Sequence, residues 1–200
     1  MCAGAESRVA QSFEALLDRK LSVAREVRSG DDEMDKMETD IESECLRILA
    51  LDAPVASDLR FVLSAMRINS SLERIADMAR AVAKKAIKLE NLPHVDFPPS
   101  LKEMADLVLA MVRDACKALA ADDLKLATEV RRRDSQVDQK NKEFFAWVVS
   151  SLSQNSSNAE AIIHMLIVGR TIERIGDVAV TIAEDVIFAV GGEIVRHTPV

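Results

Sequence analysis

The stretch from Arg170 to Glu184 reads Arg170, Thr171, Ile172, Glu173, Arg174, Ile175, Gly176, Asp177, Val178, Ala179, Val180, Thr181, Ile182, Ala183, Glu184. Its apolar residues recur at helical spacing, and Glu173 and Asp177, four apart, project from one face of that helix. One hundred positions upstream, Leu72, Glu73, Arg74, Ile75, Ala76, Asp77, Met78 and Ala79 repeat the pattern. Two carboxylates at this spacing repel each other by ~0.2–0.5 kcal/mol when exposed, and by more when shielded from water. A cation has to answer each pair, either a metal ion or an arginine.

The repetition extends outward from these stretches. Leu124, Leu126, Ala127, Glu129, Val130 and Arg131 match Leu21, Val23, Ala24, Glu26, Val27 and Arg28, and Asp134 and Asp138 match Asp31 and Asp35. A period near one hundred residues is a duplicated domain rather than a solenoid repeat. Each half holds three helical patterns. In the first half they run over 5–17, then 21 to about 51 with Gly30 interrupting at modest cost, then from 55–58 toward Leu89 after Pro54. In the second they run over 99–121, 122–153 and 157–190, the last ended by Gly191 and Gly192 before a loose tail. Three of the five prolines, Pro93, Pro98 and Pro99, fall in 91–100, the linker between halves. The expected fold is therefore all-α, two tandem three-helix bundles at 1–90 and 101–190, end to end or side by side, with 191–200 as a tail. Pro99 has its counterpart ahead of Met1, so the first helix of the first bundle is short.

Composition agrees with helices. The chain has 200 residues, 48% of them hydrophobic, with no Tyr and only 6 Gly, enough to bury a core without disulfides. A formal charge of −7 leaves no global basic field for a phosphate backbone, so nucleic acid is not an expected partner. Glu6, Arg8 and Glu14 interrupt the start, and no apolar run reaches the length of a membrane span; the expected location is the cytoplasm. Cys2, Cys45 and Cys116 lack metal-ligand spacing, and Cys45 and Cys116 read as small core residues.

The acidic residues carry the chemistry. The middle helix of each half supplies two aspartates and the last helix a Glu and an Asp: Asp31, Asp35, Glu73 and Asp77, then Asp134, Asp138, Glu173 and Asp177. If the two helices are level neighbours, four oxygen-bearing side chains converge on one surface. Oxygen-only ligation suits Mg, Ca, Mn or Fe better than Zn or Cu(I). His164 faces away from Glu173. The alternative is neutralisation by salt bridges, with Arg74, Arg170 and Arg174 close in sequence, or a merely solvated face. Gly176 reads as a close-packing position, Phe144, Phe145 and Trp147 as core filling with a partner face, and Arg131 to Arg133 as a solvated face. No nucleophile and general base stand in a catalytic arrangement, so the chain reads as a non-enzyme.

Pro54, Val55, Asp58, Leu59 and Arg60, with Leu72 to Asp77 and Ile172 to Asp177, resemble the PhoU family of phosphate-uptake regulators, across nearly the whole chain and including the duplication. The resemblance implies paired three-helix bundles with metal ions (Fe, Mn, Mg or Zn) at the eight acidic residues. It implies a non-enzymatic, cytoplasmic adaptor that represses the phosphate-starvation response through the phosphate ABC-transporter ATPase and a phosphate-sensing histidine kinase. It also implies a homodimer, with membrane association at most peripheral and through partners. The sequence departs from the family at the short first helix, at Ala76 where Gly is customary, and at Asn141 where the first half has Glu38. A carboxylate-bridged multinuclear metalloenzyme is the alternative from another class, although it lacks the Glu-x-x-His pair of ferritin-like sites. A purely structural helical dimer is a third.

Overall fold

Helix-favouring segments punctuated by Pro and Gly fold as the patterns require. The structure, a computed structural model, describes residues 1–30, 32–154, 156–196 and 198, and among these every regular element is helical. The helices are α1 (Cys2–Leu17), α2 (Leu21–Ser29), α3 (Asp32–Leu51), α4 (Ala56–Glu90), α5 (Pro99–Ala121), α6 (Leu124–Gln154) and α7 (Ala159–Gly191). A short 3₁₀ turn, Ser156–Asn158, leads into α7. None of the helices is long and apolar enough to cross a membrane.

The first bundle is α1, α2 with α3, and α4; the second is α5, α6 and α7. They lie side by side, because α4 packs along α7 and α1 along α5, and one continuous apolar core runs through both. The duplication is visible in backbone detail. Arg19 and Asp122 both sit in the left-handed region, at φ 55° and 51°. The next amide closes the turn in each half, Lys20 N to Ala15 O at 3.1 Å and Asp123 N to Ala118 O at 3.0 Å. The Asp123 carboxylate then accepts from Lys125 N and Leu126 N and caps α6, a role Lys20 has no acceptor to fill.

Three expectations need correction. The seam from 21 to 51 is one helix in sequence pattern but two in fact, with α2 stopping at Gly30. Glycine's conformational freedom removes ~1 kcal/mol of helix propensity there, while the equivalent Arg133 lets α6 run on for 31 residues. The described part of the tail is held rather than loose: Arg131 Nη2 donates to Val195 O at 3.0 Å and Thr198 O at 2.8 Å, and Arg196 Nη2 reaches Asp185 Oδ1 at 2.7 Å. For the same reason Arg131 is buried instead of solvated, and Arg133 pairs with Asp114 across α5 and α6 at 2.5 Å.

The packing positions behave as their patterns suggest. A Cβ on Gly176 would stand 3.3 Å from Val108 Cγ2 and 3.7 Å from Val137 Cγ1, so α7 approaches α5 and α6 closely there. Phe144 is fully buried and stacks on Trp147, while its neighbour Phe145 is 48% exposed. Cys45 and Cys116 are buried.

Candidate functional site

The middle and last helices of each half lie together, α3 on α4 and α6 on α7, which brings their acidic turns to one level. In the first half Asp35 and Glu38 on α3 face Glu73 and Asp77 on α4. Glu73 is partly buried, one turn before Asp77 on the same helix face. Loss of water is the largest influence on Glu73, followed by repulsion from Asp77, Glu38 and Asp35. Together they raise its pKa from the usual 4.5 to about 7. Arg80, one turn beyond, pairs with Asp77. Asp31 lies outside the described residues.

In the second half Asp134 and Asp138 on α6 face Glu173 and Asp177 on α7. Removal from water, then the negative charges of Asp138, Asp177 and Glu184, pushes the Asp134 carboxyl up. Asp177 is pushed up in the same way, by lost hydration and then by Glu173 and Asp138, with Arg174 opposing. All seven described members of the expected set therefore fall into two groups, one per bundle. Sequence reasoning missed Glu184, seven residues after Asp177 and so two turns further along the same face. Its counterpart in the first half is Lys84, and Arg131 Nε lies 3.4 Å from its Oε1. His164 is engaged elsewhere, against Lys85 Nζ at 3.3 Å.

Each group consists of hard oxygen donors, the chemistry a divalent or trivalent cation takes, and the raised pKa of Glu73 marks a carboxyl short of water and crowded by other acids. Among the described residues, no three His, Cys, Asp or Glu side chains stand close enough together to share one ion. Beyond the second group, Asn141, Lys142, Phe145, Leu166 and Arg170 line a shallow groove between α6 and α7, with the exposed Val149, Ile163 and Ile167 near its far end. The first half exposes Leu46 and Leu63, the counterparts of Val149 and Ile163.

Two side-by-side three-helix bundles, each with a carboxylate group between its middle and last helices, define a duplicated helical scaffold with an acidic outer surface. The chain belongs to the PhoU family: the PhoU domain matches residues 1–86 and again 101–186. Two proteins named phosphate-specific transport system accessory protein PhoU homolog illustrate the likeness. The one from Zymomonas mobilis is 36% identical over 188 residues, 94% of this chain and 79% of that protein. The one from Pseudomonas aeruginosa is 36% identical over 193 residues, 96% of this chain and 80% of that protein. The crystal structure of PhoU from Pseudomonas aeruginosa superposes with a TM-score of 0.91 at 35% identity, covering 96% of this chain and 93% of that one. The phosphate transport system regulatory protein PhoU from Streptococcus pneumoniae gives 0.87 at 26% identity, covering 96% and 90%.

Proposed function

We propose that this chain is a cytoplasmic adaptor of a phosphate-specific transport system that restrains phosphate uptake and the phosphate-starvation response by docking rather than by turnover. The single observation that carries the reading is membership of the PhoU family through both halves, with relatives named for phosphate transport. The partners are the transporter ATPase and a phosphate-sensing histidine kinase, and the working form is a homodimer. The exposed apolar residues beside the acidic groups, Phe145, Val149, Ile163 and Ile167, suit such contacts better than free solvent.

A hard cation completes the reading. Asp35, Glu73 and Asp77 would close on it in the first half, with Asp31 at the edge, and Asp138, Glu173 and Asp177 in the second, with Asp134 at the edge, each set drawn together by side-chain rotation from positions too far apart to share one ion. Charge neutralisation is what such an ion supplies. It would offset the repulsion between the carboxylates that face each other across α3 and α4, and across α6 and α7.

Deletion of the gene in a host that has the transporter and kinase and no paralogue is expected to derepress starvation genes in phosphate-rich medium. Purified protein is expected to bind the ATPase or the kinase without hydrolysing anything itself. An intact phosphate response in the deletion strain, or redox turnover with bound iron, would overturn the adaptor reading. For the cation, elemental analysis of protein purified without chelator should show metal that falls when Glu173→Gln and Asp177→Asn are combined. Unchanged metal in the double variant, or none in the parent, would reject that part alone.

A further inference from the structure

Cys2 on α1 and Cys116 on α5 stand side by side where the two bundles meet, their sulfurs within hydrogen-bonding contact. One turn along both helices, Arg113 Nε donates to Glu6 Oε1 at 2.7 Å and fixes the antiparallel register that keeps the two sulfurs together. Cys116 is buried. Cys2 is half-buried and lies on the wall of an apolar cavity of about 310 Å³ that opens to solvent. The pair is not part of the duplicated pattern, because the counterparts of Cys2 and Cys116 are Ala105 and Phe13. Such an arrangement is a dithiol, and the family reading makes no use of it.

We propose that Cys2 and Cys116 form an oxidisable dithiol site, which a low-molecular-weight disulfide converts into an intrachain disulfide tying α1 to α5 and so one bundle to the other. The chemistry balances as a two-electron exchange. The Cys2 thiolate attacks one sulfur of the small disulfide and expels its first half as a thiolate. Cys116 then loses its proton, attacks Cys2 Sγ in the mixed disulfide and expels the second half. Both protein thiols are oxidised, the reagent is reduced to two thiols, and the two protons pass to the expelled thiolates. The hydrogen bond from Cys116 to Cys2 assigns the order of attack. It brings Cys2 down from 9.0 to about 7, a substantial thiolate fraction at neutral pH, whereas it and burial push Cys116 up. Cys2 is thus the attacking sulfur, the one the cavity makes reachable, and Cys116 the resolving one. In a reducing compartment such a bond is reversible and reports the thiol poise rather than holding the fold.

The test uses the full chain, reduced, freed of reductant and then incubated anaerobically with oxidised glutathione at neutral pH. Thiols titrated after denaturation should fall from the three cysteines of the sequence to one. A peptide map without reduction should join the Cys2 and Cys116 peptides, and dithiothreitol should restore all three thiols. In Cys116→Ser, the glutathione that the parent releases should remain on Cys2. Three thiols persisting in the parent, a link through Cys45 or between two chains, or a stable glutathione adduct on parental Cys2 would each overturn the proposal. Because the decisive readings are made on the parent, misfolding of the variant does not rescue the idea.

Discussion

Replacing Glu73 by Gln removes a carboxyl group that burial and its acidic neighbours hold near pKa 7, while keeping its shape. A carboxyl raised from 4.5 to about 7 in the folded state binds a proton more tightly there than in the unfolded chain. Its contribution is therefore fully present below about pH 4.5 and is lost as pH rises through 7, so the ion-free protein should weaken across that window. At about 1.4 kcal/mol per pKa unit, the unscreened effect would be ~3 kcal/mol. Glu73 is only partly buried and its neighbours Asp35 and Asp77 are exposed, so solvent screening brings this to about 1 kcal/mol. Asp134, Asp177 and Asp185 shift in the same direction, which makes the difference between parent and variant the informative quantity. Urea unfolding in chelator should show E73Q equal to the parent at pH 4.5 and about 1 kcal/mol more stable at pH 8. Added divalent cation at pH 8 should stabilise the parent more than E73Q, which keeps only the second group intact. A parent–variant difference that does not change with pH, or an E73Q protein weaker than the parent at pH 8, would refute the repulsion argument. An equal response of the two to cation would refute the ligand role.

Two further changes probe the scaffold. Gly169→Ala would put a Cβ 2.2 Å from Phe144 Cε1 and 2.7 Å from its Cδ1, against a ring that is fully buried. Overpacking of ~1–3 kcal/mol outweighs the ~1 kcal/mol gain in helix propensity, so Tm should fall by a few degrees and recover in part when Phe144→Leu is added; a Tm at or above the parent's would contradict the packing. Arg131→Met removes the donor to Val195 O and Thr198 O and the cation beside Glu184. Loss of about 2–3 kcal/mol and faster amide exchange in the described tail are expected, and unchanged exchange there would mean that other contacts hold it.

The parts of the fold that sequence discloses are those set by local chemistry. Pro54 and Pro98–Pro99 mark helix starts to within a residue or two, Gly192 takes φ 76° to end α7, and the shared apolar spacing reveals both bundles. Gly30 is instructive in the other direction. The apolar seam carries through it undisturbed, so periodicity alone predicts one helix, and only the weight of the glycine argues for two. The acidic groups were legible because i, i+4 spacing is local and the duplication doubled the signal. Long-range partners were not. Nothing in the neighbourhood of Arg131 announces that Val195 and Thr198 fold back onto it, and the 113 residues between Cys2 and Cys116 hide a contact that depends on how two bundles meet.

That meeting also explains why the two halves are unequal. In the second bundle Gly169 makes room for Phe144, whose fully buried ring stacks on Trp147. The first bundle has Asn69 and Ile41 at the positions of Gly169 and Phe144, and Ser64 where the second has His164. The cavity beside Cys2 lies in this bundle, walled by Ile41, Phe61, Ile68 and Leu72. Ser64 Oγ and Asn69 Oδ1 are buried there without a partner, while Asn69 Nδ2 donates to Glu38 O at 2.9 Å. Asn69 thus connects the cavity to the acidic turn of α3, whose Glu38 side chain adds to the charge that raises Glu73. Filling the hollow, or drawing α1 toward α5 through a disulfide, acts on the wall that carries this hydrogen bond. The first acidic group is the one so linked, because in the second half Gly169 has no side chain to make the bond, and Asn141 stands where Glu38 does. Two copies of one scaffold have in this way acquired different couplings: the second keeps its carboxylates on a bundle filled by Phe144, and the first ties them through Asn69 to the wall of a cavity.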